Sequence, residues 1–445
     1  LPTPVFGGQP PEDAIHLAGV EPDVLPADFM AVRTADLAAI GGFDQRMGTC
    51  ADLDFSLRLR AASGGSFAVA IESHASLLGR PGAASRVEDA DRAAFIARWK
   101  GRLPPARPEL WSRGGFRVEG AAGDGHLVPR PRPLVVRELG APRRWGILNP
   151  ASATEVGDKW GDTAFVAGLA RALREAGEDA VTYRRPAHAS RVRAMDNVSL
   201  TVRGLLPGSP TPGGVNVLWV ISRPDQVSVA ELSAFDLVYA ASRPWARKMS
   251  ARSGVEVRVL EQATRVDAAA VADSKPAAPA AGGVVFVGQA RPDGPRAIVM
   301  DAITAGLEPQ VWGPRWGGLI PDRLWRGEFA SSDQVAQMYR SARVVLADHW
   351  EDMAREGFIS NRLFDAVALG ARVISDQVAG TTDLFEGAVQ TYGAPADLRR
   401  LASPDGLAES FPDTATMAQI AARIRANHSF AARARQLVAD VSALR

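Results

Sequence analysis

The stretch "EGFISNRLFDAVALGARVISD", residues 356–376, combines a polar turn, an amphipathic helix and a short apolar strand. The helix is expected to end at Gly370, because glycine readily takes the left-handed conformation that follows many helices. The strand after it is compact and apolar, which is typical of a buried strand in a parallel sheet. A helix that leads directly into such a strand indicates an α/β fold with helices packed on the sheet.

The start of the same helix carries a candidate anion site. Ser360 or Asn361 is a suitable N-cap, and the N–H groups of a first helical turn favour negative charge. Arg362 could bind phosphate oxygens, and Asp365, one turn further on, could accept hydrogen bonds from a vicinal diol such as ribose. Together these groups suit a nucleotide diphosphate. A capped helix with a solvent-facing Arg362 and Asp365 fits the spacing equally well.

Strands and helices alternate on both sides of this stretch. In residues 144–266 the runs "WGILNP", "DAVTYRR", "VSLTVRG", "VNVLWVIS" and "LVYAAS" are typical of strands. A second series, "VVFVG", "PQVWG", "RVVLAD" and "ARVISD", follows an Ala- and Pro-rich linker at residues 267–283. The pattern predicts two tandem Rossmann-like doubly wound domains, residues 144–266 and 284–430, and a C-terminal helix at residues 431–445.

The N-terminal region differs from these domains in composition and in its predicted elements. Residues 1–102 form one predicted unit, in which "DFMAVRTADLAAIGGFD" indicates a strand, a helix and a turn, "DLDFSLRLRAAS" a helix and "SFAVAIES" a strand. Residues 103–143 are rich in Pro, Arg and Gly, which favours a linker or an extended arm.

The bulk composition excludes several classes of protein. A chain of 445 residues predicts two or three domains, and a net charge of +1 gives no general attraction to nucleic acid. The single cysteine, Cys50, rules out a disulfide framework within the chain and fits a reducing compartment. No apolar run reaches the roughly 18 residues of a transmembrane helix. Because the chain begins with Leu, we expect an excerpt of a longer polypeptide or a processed product.

Glycine, polar and aromatic residues that could bind a ligand follow several predicted strands. The carboxyl ends of parallel strands share one edge of a sheet, so these residues are expected near each other. In the second domain these residues are Gly288, Arg291, Gly313, Arg315, Trp316, Asp348, His349 and Trp350. In the first domain they are Asp158, Lys159 and Asp162 of "EVGDKWGDTAF", residues 222–225, Gln262 and Thr264. Each could instead belong to an ordinary surface turn. The first-domain loop matches neither the dinucleotide glycine fingerprint nor a P-loop.

Other chemistries have no support in the sequence. It has no pair of histidines at metal-binding spacing, no cysteine cluster and no Gly-x-Ser-x-Gly elbow. Hydrolase and structural zinc functions are therefore not indicated, and we predict no metal site.

Residues from about 144 to 445 resemble GT-B glycosyltransferases of the bacterial CgeB-like group. The motifs that carry the resemblance are "NVLWVISRPD", "DHWEDM" and "GFISNRLFDAVALGARVISD". Many GT-B enzymes have two acidic residues spaced by seven, the first on the donor sugar and the second on the ribose. The resemblance places Glu356 and Asp365 at these positions, with eight residues between them. Arg223 stands where relatives often have His.

Residues from 28 to about 102 resemble the C-terminal, acceptor half of a rhamnosyltransferase-like GT-A domain. The motifs are "FMAVRTADLAAIGGFD" and "ADLDFSLRLRAA", and Asp52 matches the position of the family's catalytic base. The family's downstream His is replaced near Leu77. The resemblance therefore implies a cut-off GT-A domain or a remnant that serves as a scaffold.

The resemblance to GT-B enzymes implies transfer of a sugar from a nucleotide-diphosphate sugar to a glycan, a lipid-linked glycan or another cell-surface polysaccharide. The expected catalytic residues are Asp225, Glu356 and His349. The expected donor-binding residues are Gly288, Arg291, Gly313, Arg315, Asp348, Ser360, Asn361, Arg362 and Asp365. The expected acceptor-side residues are Asp158, Lys159 and Arg223.

No cofactor is expected in the GT-B part, where the nucleotide sugar is itself a substrate. The expected location is the cytoplasm or the inner face of the membrane, which leaves peripheral membrane association open. Two alternatives remain at this point. One is a nucleotide-sugar epimerase, which shares the two-domain architecture, and the other is a non-catalytic scaffold that binds a partner enzyme.

Overall fold

The computed structural model describes residues 9–25, 30–70, 89–105, 107–122, 132–137, 142–158, 160–266 and 283–444. The chain divides into two units, each compact in itself. The first contains Leu1–Arg143 with Ser190–Met195, and the second contains Arg144–Ala189 with Asp196–Arg445.

The N-terminal unit is built from short helices and one hairpin. Its helices are α1 (Thr34–Ala39), α2 (Ala51–Ser63), α3 (Asp89–Trp99) and α4 (Glu109–Ser112), with 3-10 turns at Pro11–Leu17, Gln45–Cys50 and Arg191–Met195. Strands β1 (Phe116–Ala122) and β2 (Arg132–Arg137) pair antiparallel. Thus α4 and the hairpin lie within the stretch predicted as a linker or arm. Of the strands predicted in this unit, residues 30–33 and 66–70 are not in strands, and residues 28, 29 and 71–73 lie outside the described residues.

A buried carboxylate organises the core of this unit. Asp54 accepts hydrogen bonds from Arg58 Nε at 2.7 Å, from Arg98 Nη1 at 2.9 Å and from Trp99 Nε1 at 2.9 Å. A buried carboxylate is tolerated when it is paired and hydrogen-bonded in this way. Asp52, on the first turn of the same helix, is half-buried and accepts from the N–H of Leu53 at 2.8 Å.

The second unit contains two parallel six-stranded sheets. The strands of the first sheet are β3 (Arg144–Leu148), β4 (Asp179–Tyr183), β5 (Val198–Arg203), β6 (Val215–Val220), β7 (Leu237–Ala240) and β8 (Val257–Val259). The strands of the second sheet are β9 (Val284–Val287), β10 (Gln310–Trp312), β11 (Trp325–Gly327), β12 (Val344–Ala347), β13 (Val373–Ser375) and β14 (Val389–Thr391). These two sheets confirm the predicted α/β class with two tandem Rossmann-like domains.

Helices connect the parallel strands. Those of the first sheet are α5 (Glu155–Asp158), α6 (Gly161–Glu175), α7 (Val229–Leu232) and α8 (Arg243–Ser253). Those that follow are α9 (Ala297–Thr304), α10 (Ser332–Ser341), α11 (Glu351–Glu356), α12 (Asn361–Ala368), α13 (Thr381–Phe385), α14 (Pro395–Leu401), α15 (Pro404–Ser410), α16 (Thr414–Asn427) and α17 (Phe430–Ser442). Short 3-10 turns lie at Arg185–Ala187, Pro224–Gln226 and Asp322–Leu324.

The order of the strands locates a crevice in each sheet. The first sheet has the order β4-β3-β5-β6-β7-β8 and the second β11-β10-β9-β12-β13-β14. In the first sheet the strands after β3 are added first on one side of it (β4) and then on the other (β5 to β8). In the second sheet β9 has the same position, with β10 and β11 on one side and β12 to β14 on the other. In doubly wound sheets, ligands bind outside the carboxyl ends of the strands at such switch points.

The last helix returns to the first sheet. The last two helices are separated at His428, and Ser429 caps α17 by accepting from the N–H of Ala432 at 3.3 Å. Phe430 then packs against α6 at Gly168, where an added Cβ would lie 2.8 Å from the Phe430 ring. Phe430 belongs to the same buried cluster as Trp219 of β6. The C-terminal helix therefore completes the core of the first Rossmann-like domain.

Candidate active site

Two glycine turns form the floor of the switch point in the second sheet. Gly288 follows β9, and its N–H donates to the carbonyl of Trp312 at 2.7 Å. Gly313 follows β10 with φ of 137°, and a Cβ there would lie 2.2 Å from the carbonyl oxygen of Gly288. Trp316 Nε1 donates to the same carbonyl at 2.8 Å. Residues without side chains are thus required where the two turns meet.

Arg362 lies beside these turns, in the first turn of α12. Its guanidinium carbon is 5.8 Å from the centre of the Phe286 ring, and an added Cβ at Gly288 would come within 3.1 Å of Nη2. Within the part of the chain that the structure describes, the guanidinium forms no hydrogen bond or ion pair. The side chain is half-buried, and loss of water around it lowers the pKa of Arg362. An uncompensated cation at a ligand-binding edge favours an anionic ligand.

The N-terminus of α12 is held by side chains from two directions. Ser360 is the N-cap, and its Oγ accepts from the N–H of Arg362 at 3.4 Å. The N–H of Asn361 donates to Oε1 of Gln262 at 3.2 Å. Gln262 follows β8 of the first sheet and also donates to the carbonyl of Ile221 at 3.0 Å. The two Rossmann-like domains therefore meet at this helix.

His349 positions the same helix. The ring is buried, Nδ1 lies 2.6 Å from Asp376 Oδ1, and the N–H of Ser360 donates to Nε2 at 2.9 Å. Because Nε2 accepts, the proton is on Nδ1 and is donated to Asp376. Burial alone would raise the pKa of Asp376, but the hydrogen bonds from the side chain and N–H of His349 hold that pKa below its usual value. With both nitrogens engaged, this geometry favours a positioning role for His349 over the expected catalytic one.

Asp348 is a counter-ion to two arginines. It is buried, and Arg296 Nε lies 2.8 Å from Oδ1 and 3.0 Å from Oδ2. Arg291 Nη2 lies 3.5 Å from Oδ2 and donates to the carbonyl of His349 at 2.5 Å. Its carboxylate is thus already engaged, which favours an indirect role at the donor site. Arg296 was not among the predicted site residues, although it ends the segment "RPDGPR" that begins with the predicted residue Arg291.

Trp350 connects arginines from both domains. Its ring centre lies 4.4 Å from the guanidinium carbon of Arg223 and 4.9 Å from that of Arg291. Such cation–π contacts orient guanidinium groups. Arg223 also has a left-handed backbone, with φ of 55°. A strained non-glycine residue of this kind is a reason to suspect function.

Three of the expected carboxylates are engaged in contacts between the domains. Glu356 binds Lys248 Nζ through both oxygens, at 2.7 and 2.9 Å. Asp225 pairs with Arg355 at 2.5 Å. These contacts favour a role in holding the domains together over a role in bond breaking. Lys248 and Arg355, the two partners, were not predicted.

Asp365 is the third carboxylate at this junction. Its Oδ1 accepts from Thr264 Oγ1 at 2.7 Å and from the N–H of Arg265 at 3.1 Å. Its Oδ2 has an ion-pair contact of 4.0 Å to Arg265 Nη2 and accepts no hydrogen bond from the described residues. Burial raises the pKa of Asp365, and these donors oppose that effect.

An open cavity lies next to the glycine turns. Its volume is about 520 Å³, and its lining includes Arg291, Gly294, Arg315, Gly317 and Leu319. Arg315 is exposed and has a left-handed backbone with φ of 67°. The cavity therefore offers two guanidinium groups at the carboxyl edge of the second sheet.

The expected acceptor-side residues are more dispersed. Asp158 is exposed and pairs with Arg184 at 2.7 Å, whereas Lys159 lies outside the described residues. Arg223 contacts Trp350 as described above. Asp52 belongs to the other structural unit. Among the described residues, no group of three or more His, Cys, Asp or Glu side chains is arranged to hold a metal ion.

Comparison with known proteins identifies the second domain. Residues 296–439 match the model of a family described as glycosyl transferase-like. This match confirms that the domain with α12 is of the predicted enzyme class, a glycosyltransferase. No curated protein matches the chain. In the described residues, no helix is long and apolar enough to cross a membrane.

Several solved structures are similar to part of this chain at low sequence identity. AviGT4, a glycosyltransferase involved in avilamycin A biosynthesis, is 18% identical with a TM-score of 0.48, over 68% of this chain and 98% of that one. The lipopolysaccharide outer core galactosyltransferase WaaB is 12% identical with a TM-score of 0.46, over 67% and 99%. T4 phage BGT, solved with its UDP-glucose substrate, is 11% identical with a TM-score of 0.45, over 67% and 99%.

Proposed function

We propose that the protein transfers a sugar from a nucleotide-diphosphate sugar to a glycan or another cell-surface polysaccharide, as a CgeB-like GT-B enzyme. The observation that carries the proposal is the guanidinium of Arg362 at the start of α12, beside the Gly288 turn, which has no ion-pair or hydrogen-bond partner among the described residues. A half-buried cation without a protein partner is costly unless a ligand compensates it. A diphosphate supplies that compensation.

The remaining donor contacts follow from the same geometry. Arg291 and Arg315 line the adjacent cavity and would bind the diphosphate together with Arg362. The Oδ2 atom of Asp365 would accept from a ribose hydroxyl, while Oδ1 stays bound to Thr264. Fixed positive groups around a departing diphosphate stabilise the charge that develops on it, which is the main catalytic contribution that we expect.

The three residues first expected to act in catalysis have other roles in this proposal. Glu356 and Asp225 hold the domains together through Lys248 and Arg355, and His349 fixes the start of α12. Asp158 and Arg223 remain the acceptor-side candidates. We propose that the N-terminal unit is a GT-A remnant that serves as a scaffold, with Asp52 at the former base position, and that the enzyme works without a metal at the inner face of the membrane or in the cytoplasm.

Turnover of a panel of UDP-, GDP-, CDP- and dTDP-hexoses tests this function, with water and a bacterial lipopolysaccharide preparation as acceptors. We expect release of the nucleoside diphosphate from one donor, accelerated by the polysaccharide. An epimerase would change the sugar of the donor without releasing nucleotide, and a scaffold would leave every donor intact. Either of these results contradicts the proposal.

A further inference from the structure

We propose that Asp162 is the general base that removes the proton from the acceptor hydroxyl during sugar transfer. The inference rests on the proposed function and adds a named residue and a stereochemical outcome to it. Asp162 is the second residue of α6, which follows β3 at the switch point of the first sheet. It therefore lies at the edge where the first Rossmann-like domain is expected to bind a ligand.

The carboxyl of Asp162 differs from the other acidic groups near this edge. In the described ranges it has no hydrogen bond and no ion pair, although the side chain is half-buried. By contrast, Asp158 pairs with Arg184, and Glu231 pairs with Arg203. Burial raises the pKa of Asp162. A carboxylate that is desolvated and unpaired is more basic than a paired one, and it is free to accept a proton.

Hydrogen bonds and one close backbone contact fix the described part of the segment between β3 and α6. Asn149 Oδ1 accepts from the N–H of Ala151 at 2.9 Å, and Thr163 Oγ1 donates to the carbonyl of Gly157 at 2.6 Å. A Cβ on Gly157 would lie 2.0 Å from the carbonyl oxygen of Ser152, so the turn closes tightly at this point. A base in the first turn of a helix that is anchored in this way can be positioned to the accuracy that proton transfer requires.

The same edge of the first sheet faces the donor-binding residues. All six strands are parallel, so their carboxyl ends point in one direction. The segments after β6, β7 and β8 contact Trp350, Glu356 and Asn361, respectively. The strand before Asp162, β3, lies two positions from β6 in the sheet. Asp162 therefore follows a strand whose carboxyl end lies at the same edge of the sheet as these contacts.

The proposed step balances as a direct displacement. The acceptor oxygen forms a bond to the anomeric carbon as its proton passes to an Asp162 oxygen. The bond between the anomeric carbon and the diphosphate oxygen breaks, and its electron pair leaves with the diphosphate. Because attack and departure occur on opposite faces of the sugar, the product has the inverted anomeric configuration.

The test uses the full chain and whichever hexose donor the wild type turns over, with water as the acceptor. Asp162→Asn is expected to lower kcat for nucleotide release by about 10²- to 10⁴-fold, the usual contribution of a general base. The dissociation constant for the nucleoside diphosphate should stay unchanged, which shows that the variant is folded. The matched control, Glu175→Gln, changes a carboxylate in an exposed ion pair with Arg171 on the same helix and should keep the wild-type kcat.

Azide distinguishes a base from a structural residue, because this anion attacks carbon without losing a proton. For Asp162→Ala we expect azide to restore release and to yield a glycosyl azide of inverted configuration. The inference is overturned if Asp162→Asn keeps kcat, if azide gives no rescue or a retained product, or if the wild type binds nucleotide but releases none. A wild type that binds no nucleotide overturns the proposed function itself.

Discussion

Arg362→Ala is expected to weaken binding of the nucleoside diphosphate by about 10- to 100-fold, since a hydrogen bond to a charged group contributes about 1.5–3 kcal/mol. The guanidinium has no protein partner in the described structure, so its interactions are available to the ligand. Inorganic pyrophosphate should lose affinity in parallel, because the contact that we propose for Arg362 is to phosphate and not to the nucleoside. Calorimetric titration of both ligands measures the two effects.

The stability of the same variant separates a binding role from a structural one. Removing an uncompensated, half-buried charge should leave the free energy of unfolding unchanged or raise it, whereas removing a structural contact lowers it. Arg423→Ala is the control, because Arg423 forms a half-exposed ion pair with Glu386 in the same domain. Equal affinities in Arg362→Ala and in the wild type would show that Arg362 does not bind the donor.

Arg296→Met is expected to destabilise the fold by about 3–5 kcal/mol, the cost of removing one partner from a buried ion pair. Asp348 would remain buried with only the longer contact to Arg291 at 3.5 Å. Urea denaturation monitored by tryptophan fluorescence gives the change in the free energy of unfolding.

The double variant Arg296→Met with Asp348→Asn tests the origin of that loss. Removing both charges eliminates the unpaired carboxylate, so the double variant should be more stable than Arg296→Met alone. If Arg296→Met lowers the free energy of unfolding by less than about 1 kcal/mol, the Arg296–Asp348 ion pair contributes no more than an exposed pair does. That result would contradict the expected effect of leaving Asp348 buried without its main partner.

The strands of the two sheets were largely predictable because their physical signal is local. Parallel strands buried on both faces need continuous apolar runs, and "VNVLWV" and "VVLA" have this composition. Gly370 has φ of 83° directly after α12 and its C-cap, as the helix-ending pattern predicts. The composition of "RIRANHSFAAR" is helical throughout, so only the Ser429 cap marks the start of α17, at Phe430, beside the predicted start of the C-terminal helix at residue 431.

The partners of the site residues could not be predicted from local pattern. Glu356 pairs with Lys248 over 108 sequence positions, and Asp225 pairs with Arg355 over 130. A carboxylate after a strand can face either a ligand or the neighbouring domain, and the local sequence does not distinguish these two environments. For the same reason His349 was expected to act in catalysis, since the N–H of Ser360 and the carboxylate of Asp376, which bind its two ring nitrogens, lie 11 and 27 positions away.

Titration of the full chain with UDP, GDP, CDP and dTDP, repeated on Asp365→Ala and Thr264→Val, tests for the proposed donor site. We expect one nucleotide to bind and Asp365→Ala to weaken its binding strongly. Thr264→Val, which removes the hydrogen bond to Asp365 but keeps the carboxylate, should bind nearly as the wild type does. Binding of none of the four nucleotides would contradict the existence of a donor site, and equal loss in both variants would show that Asp365 only joins the domains.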